Sequence, residues 1–535
     1  MTRELVLHNG KVFTADRGRP WARAVAVRDG RIEAVGPDDD VRRTGVEEID
    51  LEGRTVVPGF IDAHNHYLAT GEMLAQIDVR YPRVASVDDL VEAIGEAAAS
   101  TQPGRWIRAT GFDHAKYERA PTRWDLDRAT TDHPVAVLHV SGHYVLVNTA
   151  ALDARGLDDG TPDPQGGTLV RDERGRITGL CLDAAMGLII PTAVDIGSHG
   201  PNFHVEASLE ELVDAVDRAG RAYVAAGLTT VCDAQVTSRE LRGYREAYRR
   251  RLWWVRTALM PLSHQLDGYG SIGMAGPFGN DELWLGAMKF YADGSLIGGT
   301  AAFYEPYGEH GEFHGSLFWE ADQLRAMIVT AHARGWQVGV HAQGDRAIDV
   351  TLDAFEAAQH ASPRADPRHR IEHAGSPTPG QIERMAALGV IPVSQPGYLR
   401  DSGDDFLKRL ADGAHRLQPL RSELDAGLTV VISSDSDVAS YRPLDTIAAA
   451  VQRRTFDGLT VGEDERLTVE EAVRAHTIDA AYALFAEDRI GSIERGKFAD
   501  LVVIDGDLFA ADGEAIRDLP IWMTMIGGTA VFRQS

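Results

Sequence analysis

Short apolar runs separated by polar turns dominate both ends of the chain. Ala24-Val25-Ala26-Val27 and Ile32-Glu33-Ala34-Val35 flank Arg28-Asp29-Gly30-Arg31, and Asp-Gly between two such runs predicts a hairpin. The C-terminal end has the same texture: ADLVVIDGD reads as a strand, and Gly527-Gly528 between MTMI and TAVF reads as a second hairpin turn. Strand-only ends around a different middle predict one β-sandwich assembled from both termini, residues 1–56 and 483–535.

The middle alternates between two hydrophobic periods. Ser208-Leu209-Glu210-Glu211 is a capping box opening a helix whose Leu209, Leu212, Val213 and Val216 share one face, and LTTVCDA follows as a strand. Leu324, Met327, Ile328 and Ala331 mark another amphipathic helix, stopped at Gly335 before the strand QVGVHA. Thr378-Pro379 starts a third, ended by Gly389 before VIPVSQ, and Thr468-Val469-Glu470-Glu471 opens a fourth. Apolar strands alternating with helices imply a parallel α/β sheet.

Eight strand starts can be counted, near Val56, Thr229, Trp254, Leu285, Gln337, Arg370, Val390 and Thr429. The last seven are about 33 residues apart, close to the ~31 expected when ~250 residues make eight βα units. The pattern predicts a distorted TIM (β/α)8 barrel over 57–71 and 206–482, with a doubly wound open sheet as the alternative. The gap after the first strand is far longer than one unit. It contains its own hairpin signal, LVRDERGRITGL, so residues 72–205 are read as an inserted capping subdomain.

Composition narrows the function. The 535 residues are 44% hydrophobic and 25% charged, which excludes collagen, a coiled coil and a largely disordered chain. A formal charge of −26 repels phosphates and anionic headgroups, so neither nucleic acid nor a membrane surface is an expected partner. The chain shows no signal-peptide pattern and no 18-residue apolar run, and it has only two cysteines, Cys181 and Cys232. A cytoplasmic setting is the simplest expectation.

The candidate chemistry lies at strand ends. VVPGFIDAHNH finishes in His64-Asn65-His66, and residues i and i+2 of a strand face the same side. Two imidazoles at that spacing suit a Zn-type ion. His341 ends QVGVHA, His373 ends HRIEHA and Asp435 ends TVVISSD, each before a turn. Active sites of such barrels sit at the strand C-termini. Lys289, inside the apolar run LWLGAMKFYADG, must deprotonate, pair with an acid such as Asp293, or be modified. Tyr67, Trp106, Asp113, Tyr304 and Gln395 are candidate pocket-lining, substrate-binding positions. Gly268-Tyr269-Gly270-Ser271-Ile272-Gly273 fits G-x-G-x-x-G but lacks the strand–helix context of a dinucleotide site.

The order HxH, Lys, His, His, Asp on successive strands resembles the amidohydrolase superfamily. The stretches LHVSGHYVLVNTAAL, VHAQGDRAID, RIEHAG and GSIERGKFADLVV are similar to its amidohydrolase-3, N-substituted formamide deformylase-like branch. The resemblance implies that His64 and His66 bind one divalent ion and His341 and His373 a second. It implies that Lys289 is carboxylated to bridge them, and that Asp435 contacts the first ion and shuttles the proton. It also implies that His143 reaches the substrate from the insertion. Zn2+, one or two per chain, is the expected cofactor; such an ion lowers the pKa of water from roughly 15.7 to about 7. The expected activity is hydrolysis of a non-peptide C–N bond, an amide, N-formyl or N-acyl group, on a small molecule. The alternatives are an ester or lactone substrate, deamination, decarboxylation, or an inactive binding homologue. Barrels of this kind commonly form homo-oligomers, so a homodimer is an open expectation.

Overall fold

The computed structural model describes residues 4–43, 45–113, 116–140, 144–164, 167–183, 185–308, 310–311 and 313–534. The chain divides into two compact units, Met1–Leu68 with Ile196–Pro201 and Val216–Ser535, and Ala69–Asp195 with Asn202–Ala215.

In the first unit the chain ends build two sheets. One has the order Arg31–Gly36, Ala24–Arg28, Glu4–His8, Glu47–Asp50. The other runs Thr529–Arg533, Ile521–Ile526, Leu501–Ile504, Thr55–Pro58, Lys11–Phe13, Trp21–Ala22, so strands from both termini share it. Leu5, Leu7, Val25 and Val27 of the first sheet and Val56, Leu501, Val503 and Met523 of the second enter one buried cluster. Strands from both chain ends thus share one buried core. The Asp29-Gly30 hairpin forms with both residues at positive φ, 50° and 79°, as a two-residue turn of matching twist requires. Gly527-Gly528 closes the second hairpin in the same way.

The sequence reading joins Val56 and His64 in one strand; the structure breaks it. Thr55–Pro58 pairs antiparallel with Leu501–Ile504, and the chain enters a different sheet at Phe60. Gly59 marks the crossing: a Cβ there would lie 2.2 Å from Thr229 Oγ1. The next sheet holds Phe60–Asn65, Leu228–Val236, Arg256–Pro261 and Leu283–Leu285 in parallel, edged by the antiparallel Phe278–Gly279. A second parallel sheet holds Met288–Tyr291, Val338–Ala342, Arg370–His373, Ile391–Ser394 and Val431–Ile432. A parallel bridge, Leu262–Lys289, links the two sheets on one side. On the other, the Asp435 N–H donates to the His64 carbonyl at 2.9 Å and the His66 N–H to the Ser436 carbonyl at 2.6 Å. Ile61 and Ala63 of one sheet pack with Ile391, Val393 and Val431 of the other in a single core.

Helix starts follow the caps read from sequence. The Thr378 side chain accepts from the Gln381 N–H and opens Pro379–Leu388, which ends at Gly389 with φ 65°. Thr468 and Glu471 cap Val469–Ala475 reciprocally, and Ser208 and Glu211 do the same at the start of Leu209–Ala225. The 268–273 glycine motif lies largely in the short helix Leu266–Ser271 rather than in a strand-to-helix loop.

The second unit contains a six-stranded mixed sheet, ordered Gly167–Arg171, Ile177–Asp183, Tyr144–Val147, Val135–His139, Ile107–Phe112, Ile77–Asp78. The helices Val87–Ser100 and Arg123–Ala129 pack their Val87, Leu90, Ile94 and Leu126 against it. The hairpin expected in LVRDERGRITGL is present, with Arg171 opposite Ile177.

Candidate metal centre

Strand ends bring the predicted residues together. His64, His373 and Asp435 each offer one ligand atom, and these atoms lie within 4.8 Å of one another, all buried. His64 Nε2 is 3.4 Å and His66 Nε2 3.0 Å from Asp435 Oδ1. The His341 and His373 rings are 4.2 Å apart between centroids, and those of His64 and His373 4.9 Å. His373 and Asp435 both take left-handed backbone, φ 76° and 53°, at a cost of about 1–2 kcal/mol each. Such cost is tolerated where the surroundings fix a functional geometry.

Three of these imidazoles, those of His64, His373 and His341, are oriented from behind. His64 Nδ1 meets Glu372 Oε2 at 2.5 Å, and His373 Nδ1 meets Gln395 Oε1 at 2.7 Å. His66 Nδ1 is 4.0 Å from Asp233, whose carboxylate accepts from the Tyr244 hydroxyl. His341 Nε2 contacts the Gly294 carbonyl at 3.0 Å, and its ring stacks on Tyr291. These contacts leave the opposite nitrogen of each of the His64, His373 and His341 rings for another partner. The Tyr398 hydroxyl donates to Asp435 Oδ2.

The interior below this cluster is charged. Arg370 donates from Nε and Nη2 to the two oxygens of Glu372 at 2.7 and 2.8 Å, and all of these side chains are buried. Lys289 stands opposite Gly339 in the parallel ladder, and its Nζ has no hydrogen-bond partner among the described residues. Asp293 does not pair with it. The Asp293 carboxylate accepts instead from the backbone N–H groups of Ala302, Gln343 and Gly344 at 2.8–3.0 Å.

The electrostatics follow from burial and neighbours. Burial pushes the Lys289 ammonium down to about 8. Burial, then the nearby Lys289, pushes His341 down to about 3. Burial also holds His373 well below 6.5. For Asp435, burial opposes charge but His64 and His66 outweigh it, so its carboxyl lies well below the usual range. For Glu372 the same contest is won by Arg370 and His64. The His341 and His373 imidazoles, held neutral by burial, and the ionised Asp435 carboxylate, with His64 and His66 beside them, are ligand types that fit a divalent ion.

The other predicted residues are placed as follows. Gln395 orients His373. Tyr67 is fully buried among the Tyr223, Tyr244 and Trp253 rings. Tyr304 is 60% exposed, with its hydroxyl donating to Asp349 at 2.9 Å. Trp106 belongs to the second unit, where the Arg155 guanidinium lies over its ring, and Asp113 there is 3.8 Å from His139. His143 lies outside the described residues. Sequence reasoning missed Glu372, Tyr398 and Asp233. For Glu372 a signal existed: Arg370 and Glu372 alternate in a short strand, which turns two charges to one face.

The chain resembles known proteins along its length. The model of the amidohydrolase family matches residues 47–532. The N-substituted formamide deformylase of Arthrobacter pascens is 33% identical over all of this chain and 99% of its own length. Protein LONG AFTER FAR-RED 3 of Arabidopsis thaliana is 31% identical over 99% of this chain and 91% of its own. The crystal structure of an uncharacterized metal-dependent hydrolase from Pyrococcus furiosus superposes with a TM-score of 0.76 at 27% identity, covering 95% of this chain and all of that one. The chain therefore belongs to the amidohydrolase family and is an enzyme that hydrolyses carbon–nitrogen bonds.

Proposed function

We propose that the protein hydrolyses an amide, N-formyl or N-acyl C–N bond of a small, non-peptide molecule, using Zn2+ held at the C-terminal ends of a distorted (β/α)8 barrel. The observation that carries this is the buried convergence of His64, His373 and Asp435 within 4.8 Å. The bridge and hydrogen bonds that join the two parallel sheets on both sides support the barrel. The full-length similarity to a formamide deformylase supports the bond type.

His64, His66 and Asp435 would hold one ion, and His341 and His373 a second. Lys289, buried and with no hydrogen-bond partner for Nζ among the described residues, would bridge them once carboxylated, because an ammonium repels cations. When bound, the ion polarises the scissile carbonyl and supplies a nucleophilic water at neutral pH. Asp435, ionised in its surroundings, takes the proton from the attacking water and passes it to the leaving nitrogen. Tyr398 fixes the carboxylate through Oδ2 and leaves Oδ1 on the side of His64 and His66. The products are a carboxylic acid and an amine. Tyr67, Tyr304 and Gln395 of the first unit are the proposed substrate contacts.

A panel of N-formyl, N-acyl, ester and amino-heterocycle compounds tests the reading. The expected result is amine release from the N-formyl or N-acyl compounds, abolished by chelation and restored by zinc. Turnover confined to esters or amino-heterocycles would overturn the bond assignment, and turnover indifferent to chelation would overturn the metal.

A further inference from the structure

Two of the clustered histidines are oriented by side chains of different charge. His373 is held by the neutral Gln395 amide, whereas His64 is held by a carboxylate, Glu372. An ionised carboxylate only accepts, so the proton of this bond sits on His64 Nδ1. Nε2 then carries the lone pair that a metal ion would take, and it is the one that faces Asp435 at 3.4 Å.

We infer that Glu372 is a positioning residue: its carboxylate fixes the tautomer and orientation of His64, and Arg370 and Gly339 exist to hold that carboxylate in place. The inference rests on the proposed metal centre. Three observations carry it. Glu372 is fully buried, and Oε2 takes both the His64 bond and one Arg370 bond, while Oε1 takes the other Arg370 bond. Arg370 is itself anchored, donating from Nη2 to the Ala63 carbonyl at 2.7 Å, one residue before His64. Gly339 supplies the room: a Cβ there would sit 2.7 Å from Glu372 Oε1 and 2.5 Å from Met260 Cε. A carboxylate behind an imidazole orients the ring and raises its basicity as a ligand, and such partners typically carry 10–100-fold in metal affinity. A residue that merely neutralised Arg370 would not need to reach His64.

The test measures zinc affinity by chelator competition and the visible spectrum of the Co2+-substituted protein, on the full chain. Wild-type protein is read first; if it takes up no zinc, the metal-centre reading fails and this inference falls with it. Given binding by wild type, Glu372→Gln should weaken zinc by about 10–100-fold and shift the Co2+ bands. Glu372→Gln leaves Arg370 buried without a counter-charge, so the pair Arg370→Met/Glu372→Gln is measured beside it and should show the same loss with its circular dichroism intact. A folded variant of either kind that matches wild type in both readouts overturns the inference. Gly339→Ala gives an independent route. It leaves every polar group in place but crowds the carboxylate, so weakened zinc binding is expected and unchanged binding contradicts the inference.

Discussion

Buried polar groups occupy both ends of the parallel strands, but they are treated differently. At the N-terminal ends they are matched. Arg256, which opens its strand, donates from Nε and Nη2 to the Asp500 carboxylate at 2.6 and 3.1 Å and from Nη1 to the Asp281 carbonyl. Asp500 also accepts the Gly527 N–H, tying the strand to the terminal sheet. His369 accepts the Val338 N–H at Nδ1 and meets His332 through Nε2, and His332 meets the Ser362 carbonyl. At the C-terminal ends, four imidazoles and one carboxylate crowd together above a lysine whose Nζ has no partner among the described residues. Charge that is matched serves stability; charge that is gathered and left open serves chemistry.

The sharpest way to break this contrast is to exchange the losses. Asp435→Asn should lower turnover by about 10²–10⁴-fold, the range of one acid–base group, while the thermal midpoint holds. Asp500→Asn should do the opposite: about 3–5 kcal/mol of stability disappears in denaturant unfolding, as when a buried pair loses one partner, with turnover per folded molecule unchanged. If both variants lost both properties, the two ends would not be separable.

Tyr398→Phe comes next. Removing a hydrogen bond to a charged group, worth about 1.5–3 kcal/mol, should lower kcat roughly tenfold or more with KM little changed. Steady-state kinetics on a purified variant checks it, and a change in KM alone would place Tyr398 in binding instead.

A milder test uses pH at the matched end. Burial holds His332 and His369 below their ordinary value of 6.5. Between the folded and ordinary values the unfolded chain binds protons that the folded chain refuses. Their contribution is therefore complete above 6.5 and is lost as pH falls below it. The thermal midpoint should drop on acidification from pH 7 to pH 5, and less so in His369→Gln. Equal pH slopes would contradict the assignment. The smallest effect is expected for Tyr304→Phe, within about 0.5 kcal/mol, because the side chain is 60% exposed.

Legibility in the sequence followed the same division. His64, His341, His373 and Asp435 could be found because each ends a strand-like run before a turn, a local pattern that survives without coordinates. Glu372 left only a partial signal, its alternation with Arg370, since its meaning lies in a contact with His64, 308 positions away. Asp293, four residues from Lys289, was one acid the sequence offered it, but three backbone N–H groups claim that carboxylate. The Asp29-Gly30 turn and the Thr378 and Thr468 caps were readable because they are closed by residues three or fewer positions apart. The change of sheet at Gly59 was hidden, because Val56 and Ile61 belong to one apolar stretch and only tertiary pairing tells them apart.

Metal analysis of the purified protein tests the central claim most directly. The account predicts at least one tightly held divalent ion per chain in the wild type, sharply reduced in His64→Ala and Asp435→Asn while their circular dichroism is unchanged. A wild-type protein that holds no ion after incubation with zinc, or variants that hold as much as the wild type, would contradict it.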